Sequence, residues 1–155
     1  MKGNEQILAA LNNLLSDELT AISQYMVHSE MCDNWRYSEL HKAVEERAIT
    51  EMKHAEKLIA RILFLDGTPV VSSLKKINIG ADIPAQFNND LAAEYGAVKG
   101  YNEGIRLAYD LGDNGSRELM DSILVDEEEH VDWLEAQIEQ VKVMGLPAYL
   151  VEQVD

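Results

Sequence analysis

Six ionisable residues of this 155-residue chain recur at intervals that would bring them together in a helical protein. They are four glutamates and two histidines: Glu18, Glu51, His54, Glu94, Glu127 and His130. Each histidine follows a glutamate by three residues, so the two side chains of each Glu-x-x-His pair share one face of a helix. The interval from Glu18 to Glu51 equals the interval from Glu94 to Glu127. The pattern predicts one cluster of four carboxylates and two imidazoles.

Four buried carboxylates repel one another unless they are protonated, paired with bases or bound to metal ions. Pairing with bases is not expected, because no Lys or Arg occupies the predicted core positions. Two divalent cations would neutralise the four carboxylates, and two neutral imidazoles would complete the coordination. Oxygen-rich ligation with one imidazole for each metal favours iron or manganese, and the pattern matches the di-iron and di-manganese carboxylate sites of four-helix bundles. The alternative is an acidic bundle whose buried glutamates are protonated or solvated.

Four helices are predicted to position these residues. Helix-breaking residues separate four segments of similar length, near 4–33, 38–66, 83–111 and 116–144. The connection 67–82 is long enough to cross the length of a bundle, whereas the other connections are short. Two helical hairpins joined by one long crossover make an all-α, ferritin-like four-helix bundle, followed by a short helix between Pro147 and Asp155. We expect residues 1–155 to form one domain of this kind.

Each glutamate of the cluster interrupts an apolar stripe with helical spacing. The stripes of the first and third helices are Leu11, Leu15, Glu18, Ile22, Tyr25 and Phe87, Leu91, Glu94, Val98, Tyr101. Those of the second and fourth are Leu40, Val44, Glu51, His54, Leu58, Ile62 and Leu119, Ile123, Glu127, His130, Leu134, Ile138. One constant offset, the interval from Glu18 to Glu94, relates the polar positions of the two halves, so the chain looks like one helical hairpin used twice.

Composition excludes several classes of function. Lys and Arg number 13 against 28 Asp and Glu, and a net charge of −15 disfavours nucleic acid or an anionic membrane and attracts cations. No apolar run approaches the roughly 20 residues that a membrane span needs. Cys32 has no partner for an internal disulfide, and the N-terminus lacks an apolar signal core. We therefore expect a cytoplasmic protein.

Three stretches resemble the bacterioferritin family: residues 13–25 (NLLSDELTAISQY), 51–67 (EMKHAEKLIARILFLDG) and 126–135 (DEEEHVDWLE). The resemblance runs from Met1 to about Leu150. It implies a homo-oligomeric cage of 24 subunits, built from dimers, for iron storage and detoxification. In such a cage a ferroxidase centre oxidises Fe(II) with O2 or peroxide, and Fe(III) is stored as a mineral. The six residues then carry over as the metal ligands, with Glu51 and Glu127 as the bridging carboxylates.

Met52 follows Glu51 and therefore points about 100° away from the metal-binding face, toward the outside of the bundle. From the sequence alone, a subunit contact is the simpler interpretation. The resemblance implies that Met52 and its copy from a two-fold related subunit bind one haem, of b-type or a related iron porphyrin, at the two-fold interface. Methionine ligation favours ferrous haem and an electron-transfer role. The family also implies a ferredoxin-type reductant for iron release.

The chain departs from the family's pattern beside this centre. Some bacterioferritins carry His and Asp at the positions aligned with Glu46 and Thr50, where they form an accessory inner iron site. Thr50 is a weak ligand and Arg47 adds a positive charge nearby, which does not favour an inner site of that form. Whether the dinuclear centre is a stable cofactor or a transit point for iron stays open at this stage.

Other polar residues have two interpretations each. Tyr25 and Tyr101 either support the metal centre, through a hydrogen bond or an electron, or are core tyrosines with satisfied hydroxyl groups. Asp126 either orients a ligand histidine or is an exposed acid. His28 and His41 lie off the apolar stripes and are predicted at the surface or at an interface.

Three other functions fit the same residues. One is a di-iron oxygenase or peroxidase that acts on an organic substrate or peroxide. Another is a haem-binding or interaction protein whose dinuclear site is structural. A haem-free ferritin is the nearest alternative, and haem binding through Met52 separates it from the family named above.

Overall fold

A computed structural model describes all 155 residues of the protein. It contains five helices and no strand: α1 Glu5–Asn34, α2 Ser38–Phe64, α3 Ile83–Asp110, α4 Asn114–Met144 and α5 Leu146–Val151. The predicted all-α fold with four long helices, one long crossover and a short C-terminal helix is therefore confirmed. The last helix occupies only part of the predicted tail. None of the helices has the length and apolar character that crossing a membrane requires.

Local sequence explains where the long helices begin and end. Asn4, Asp82 and Asp113 cap α1, α3 and α4, each accepting a hydrogen bond from a backbone N–H of the first turn at 2.8 to 3.0 Å. Gly145, with a φ of 81°, ends α4 in the left-handed region that favours glycine. These caps fix where α1, α3 and α4 begin, and therefore the height at which each of these three helices presents its glutamate.

The helices pack as two hairpins, α1 against α2 and α3 against α4, and α1 also packs against α3. Besides a small apolar cluster of Tyr25, Val44 and Ala48, two buried apolar clusters lie on either side of the polar middle. The larger contains Ile7, Leu11, Leu14, Leu15, Ala55, Leu58, Ile62, Leu65, Tyr101, Ala108, Met120 and Ile123. The smaller contains Cys32, Leu40, Ile83, Phe87, Leu134 and Tyr149. Burial of these side chains is the main driving force of the fold, and it encloses the predicted cluster between two dry ends.

The crossover, residues 65–82, lies along α1 and is held there by a ladder of hydrogen bonds. Five polar residues spaced four apart on α1 form one side of this ladder: Asn12, Ser16, Thr20, Gln24 and His28. Their backbone partners along the crossover are, in order, Thr68 and Val70, Ser73, Lys75, Asn78 and Gly80, at 2.7 to 3.1 Å. The crossover therefore runs in the direction of α1 and covers one of its faces.

The prediction that His28 lies at the surface or at an interface is wrong. His28 is fully buried, because the crossover covers it. Its Nε2 accepts a hydrogen bond from the backbone N–H of Gly80 at 2.9 Å, and its Nδ1 lies 2.9 Å from Asp90 Oδ1. Gln24 donates to the same Asp90 oxygen at 2.8 Å. His41, by contrast, is partly exposed, as predicted.

Candidate metal centre

The structure brings the six predicted residues together in the middle of the bundle. Ligand atoms of one group lie within 4.8 Å of one another, and we name this group the first half-site: Glu18, Glu51, His54 and Glu127. A second group meets the same distance and is named the second half-site: Glu51, Glu94 and His130. All six residues are buried. Each long helix contributes one glutamate, and only α2 and α4 contribute histidines.

The carboxylates of the first half-site interact strongly in the protein. Burial and the neighbouring charge of Glu51 raise the pKa of Glu18 well above its usual range. Burial also opposes ionisation of Glu51, but interactions with Glu18 and His54 and the charge of Arg47 outweigh it and lower the pKa of Glu51 to about 2. Burial and Glu94 raise the pKa of Glu127. The raised pKa values of Glu18 and Glu127 therefore favour protonation of these two carboxylates when no metal ion is bound.

The two histidines differ in the number of carboxylates that contact their ring nitrogens. His54 Nδ1 lies 3.0 Å from Glu127 Oε1, and its Nε2 donates to Asp126 Oδ2 at 2.8 Å. Burial works against protonation of His54, yet the carboxylates of Glu127 and Glu18 raise its pKa to about 12. Of the two interpretations of Asp126, the structure thus favours the orienting one. His130 Nδ1 donates to Glu94 Oε1 at 2.9 Å, and no hydrogen bond is found at its Nε2.

Each of the two core tyrosines crosses the bundle to a glutamate of the opposite hairpin. Tyr25 on α1 donates a hydrogen bond to Glu94 on α3, and Tyr101 on α3 donates to Glu18 on α1 at 2.5 Å. Burial raises the pKa of both phenols, and the adjacent carboxylates raise it further. Both tyrosines therefore stay protonated hydrogen-bond donors that hold one oxygen of each carboxylate in place.

Arg47 overturns the expectation that no base would pair with the cluster. Its Nη2 lies 2.7 Å from Glu51 Oε1, 3.4 Å from Glu127 Oε1 and 3.9 Å from Glu94 Oε2. Burial lowers the pKa of the guanidinium, but the charges of Glu51 and Glu94 outweigh this and raise it. Arg47 lies one turn before Glu51, and its long side chain reaches inward from the edge of the apolar stripe. That i, i+4 spacing was the signal in the sequence.

The buried donor atoms fit divalent cations. Several of them have no hydrogen-bond partner in the protein: Glu18 Oε2, Glu51 Oε1, His54 Nδ1, Glu94 Oε2, and Glu127 Oε1 and Oε2. Buried polar atoms are almost always partnered, so such a concentration requires an explanation. Carboxylate oxygens with imidazole nitrogens are the donors that iron and manganese accept. The chemistry of the donor set therefore fits a pair of these ions.

Met52 lies on α2 and points away from the centre, as its position after Glu51 predicts. Its side chain is 44% exposed in the single chain. Other exposed apolar residues lie on the same helical hairpin, α1 and α2: Met26, Val27 and Ile49. Exposed apolar side chains in such a group are typical of a surface that another molecule covers.

Comparison with known proteins supports this assignment of the fold. Residues 8–144 match the model of the ferritin-like domain family. Bacterioferritin from Mycobacterium bovis is 40% identical over 149 residues, covering 96% of this chain and 94% of that protein. Bacterioferritin from Rhodobacter capsulatus is 41% identical over 145 residues, covering 94% and 90%. The solved structure of Mycobacterium tuberculosis bacterioferritin BfrA superposes with a TM-score of 0.98 at 39% identity, covering 100% of this chain and 98% of that one.

The fold and the buried carboxylate–histidine cluster define a protein of the ferritin-like class. Within that class, the chain belongs to the bacterioferritin family. The resemblance inferred from the three sequence stretches is thereby confirmed, and membership supports the predicted iron-storage function. The family also implies a di-iron centre and an oligomeric cage.

Proposed function

We propose that this chain is the subunit of an iron-storage cage and that its six-residue centre is a ferroxidase site. The metal ligands in this proposal are Glu18, Glu51, His54, Glu94, Glu127 and His130, and Fe(II) is the substrate. The observation that carries the proposal is the convergence of four buried carboxylates and two imidazoles, several of whose oxygen and nitrogen atoms have no hydrogen-bond partner within the protein. No other part of the chain gathers so many buried ligand atoms.

The protein's own residues prepare this site for oxidation. Glu51 belongs to both half-sites, and the family resemblance makes Glu51 and Glu127 the carboxylates that two Fe(II) ions would share. Asp126 fixes the ring of His54, while Tyr25 and Tyr101 each fix one terminal glutamate. When the pair of Fe(II) ions gives up one electron each, two electrons and two protons convert O2 to hydrogen peroxide, or peroxide to water. Carboxylates stabilise both oxidation states, and the Fe(III) produced passes on to the mineral.

A stopped-flow titration of Fe(II) into metal-free protein tests this proposal. We expect a fast phase that saturates at two Fe(II) per chain, followed by slower uptake. Glu127→Ala removes a shared carboxylate and should abolish the fast phase while the assembled shell remains. Glu128→Ala is the matched control, because Glu128 is the exposed neighbour on the same helix with the same charge. A fast phase that survives in Glu127→Ala would overturn the site assignment.

We further propose that Met52 and its copy in a two-fold related subunit bind haem, b-type or a related iron porphyrin. The exposure of Met52 among other apolar side chains supports this role. Met52→Leu should abolish the haem absorbance band of the purified protein. Met144→Leu, at a comparably exposed methionine near the end of α4, should leave the band intact. Equal haem content in both variants would contradict the proposal.

The assembly in this proposal is a homo-oligomeric cage of 24 copies built from dimers, in which residues 1–155 form one domain. Exposed apolar side chains along α1, α2 and the crossover support burial against other copies: Met26, Val27, Ile49, Met52, Phe64 and Val71. A ferredoxin-type reductant and a cytoplasmic location complete the proposal. Light scattering should give the mass of 24 chains of 17.4 kDa, and a monomer would argue for one of the alternative di-iron enzymes.

A further inference from the structure

The guanidinium of Arg47 occupies the place of a cation in the second half-site. Its Nη2 lies within 4 Å of three carboxylates, those of Glu51, Glu94 and Glu127. Two of these three belong to the second half-site, and the third is the other shared carboxylate. The Arg47 side chain is only 12% exposed, so its charge acts in a medium of low polarity, where charges interact strongly.

The charge of the guanidinium is attracted to the carboxylates of the second half-site, but no hydrogen bond fixes its position there. Arg47 Nε and Nη2 are buried and have no hydrogen-bond partner, although Nη2 approaches three carboxylates. Strong arginine–carboxylate pairs are usually bidentate and well aligned. The contact is therefore mainly coulombic, and an ion with a higher charge competes for the same oxygens.

Arginine cannot give up its proton, so it cannot become neutral when metal ions enter. Two divalent cations already neutralise four carboxylates, and the positive charge of Arg47 is then surplus. The guanidinium and a metal ion in the second half-site also need the same oxygen atoms. Arg47 must move if both half-sites are to fill.

A cavity that could accept the displaced Arg47 side chain lies beside the second half-site. A cavity of about 240 Å³ is lined by Glu46, Arg47, Thr50, Glu129 and His130, with Ala43 and Trp133. Glu46 and Glu129 are exposed and carry the carboxylates that a guanidinium in this cavity would pair with. The cavity is large enough for the head of an arginine side chain.

We propose that Arg47 is a displaceable internal cation that occupies the second half-site in the metal-free protein. A metal ion that binds there displaces the guanidinium into this cavity, where it pairs with Glu46 and Glu129. The inference rests on the proposed metal-binding role of the six residues. Its consequence is that two metal ions bind with unequal affinity. The first half-site fills first, and the second fills only as Arg47 leaves.

Anaerobic titration of the metal-free, assembled protein with Co(II), followed by calorimetry and by visible absorbance, tests the inference. We expect two Co(II) per chain with dissociation constants at least about tenfold apart, since displacing a buried charge opposes the second step. Arg47→Gln should tighten the second step by about tenfold or more and leave the first within about twofold. Arg106→Gln, at a side chain that is 79% exposed, is the control and should change neither.

A second variant tests the receiving cavity and does not depend on how well Arg47→Gln folds. Glu46→Gln combined with Glu129→Gln should weaken the second step, the opposite direction from Arg47→Gln. Arg47→Lys keeps the positive charge and should keep the two affinities apart. An unchanged second step in Arg47→Gln, or in the double variant, would overturn the inference. Co(II) binding that is insensitive to Glu127→Ala would instead overturn the proposed function, so the two failures are distinguishable.

Discussion

The two hairpins of this protein are related by one constant shift along the sequence, yet they support the metal centre differently. Glu18 and Glu94 correspond under this shift, and so do His54 and His130. The tyrosines cross over symmetrically as well. These shared positions form the cluster. The positions where the symmetry fails determine how firmly the side chains of each half-site are held.

Two substitutions break the symmetry at the centre. Asp126 holds His54 from behind, whereas its counterpart Thr50 bonds its own helix, donating to the Glu46 carbonyl oxygen at 3.1 Å. Arg47 enters the second half-site, whereas its counterpart Ile123 is buried in the larger apolar cluster. The first half-site is thus pre-organised by a fixed imidazole, and the second is less constrained. A duplicated scaffold can thus give the proposed metal centre one rigid and one less constrained half-site.

The symmetry also fails at the end of the bundle that the crossover covers. Gln24, His28 and Asp90 form a buried polar network there. Their counterparts under the same shift are Gly100, Gly104 and Leu14, where Leu14 packs closely over both glycines. The crossover presents backbone groups that need partners. The polar row of α1 supplies most of them, and Gln86 and Asn89 of α3 donate to the carbonyl oxygens of Gly80 and Asn78.

The largest effect that tests the comparison comes from removing one terminal glutamate at a time. Glu94→Ala should reduce Co(II) binding from two ions to one per chain, with the tighter affinity retained. Glu18→Ala should remove the tighter binding step instead. Both follow from the assignment of one terminal carboxylate to each half-site. Calorimetric stoichiometry measures both results, and identical losses in the two variants would show that the half-sites are equivalent.

A smaller effect on Co(II) affinity should follow from changing the residues that lie behind the two histidines, Asp126 and Thr50. Asp126→Asn removes the carboxylate behind His54 and should weaken the tighter Co(II) step by about 10- to 100-fold. Thr50→Asp supplies the corresponding carboxylate near His130 and should strengthen the weaker step. Asp132→Asn, at an exposed acid on α4, is the control for charge. No change in either step would show that these residues do not orient the imidazoles.

The polar network at the covered end should affect stability and leave metal binding unchanged. Asp90→Asn removes the negative charge that His28 and Gln24 contact and should cost about 2 kcal/mol in the free energy of unfolding. A lower thermal midpoint of the metal-free protein, with unchanged Co(II) stoichiometry, is the expected result. Unchanged stability would show that the network contributes little to holding the crossover.

The smallest effect concerns Asp113, which caps α4 and pairs with Arg61. Burial works against ionisation of Asp113, but hydrogen bonds from the Ser116 hydroxyl and backbone and the charge of Arg61 lower its pKa below the usual 3.8. A carboxyl group with a lowered folded-state pKa stabilises the protein above its usual pKa, and this stability is lost as the pH falls through the folded-state value. Asp113→Asn should therefore reduce the thermal midpoint near neutral pH, and the difference from the parent protein should shrink below about pH 4. A constant difference across this range would contradict the prediction.

The sequence predicts the helices and the six clustered residues well, because both depend on periodicity. Four long segments between helix-breaking residues become α1 to α4, and the repeat of one hairpin pattern brings the glutamates to one height. The three stretches that resemble bacterioferritin contain five of the six residues, all except Glu94. The sequence does not predict where the end of a long side chain lies in the folded protein. Arg47 lies beside the stripe, and only the folded geometry shows its guanidinium among the carboxylates.

The prediction for His28 is wrong for a different reason. Its position on α1 belongs to a polar row, and such rows usually face water. Here the row Asn12, Ser16, Thr20, Gln24 and His28 faces the backbone of the crossover instead. A spacing of four among residues able to hydrogen-bond backbone groups was present in the sequence. Nothing local to α1 identified the segment that would cover it.

The ladder on α1 also determines where this chain can be divided. The crossover up to Gly80 is hydrogen-bonded to α1, so a peptide-bond cleavage just after Gly80 leaves the crossover attached to the N-terminal fragment. That fragment would contain Glu18, Glu51 and His54, and the C-terminal one Glu94, Glu127 and His130. Each fragment would carry half of the metal ligands and one tyrosine that bonds the other fragment's glutamate. Because both apolar clusters also join the two fragments, metal ions should strengthen their complementation, and a chelator should weaken it without abolishing it.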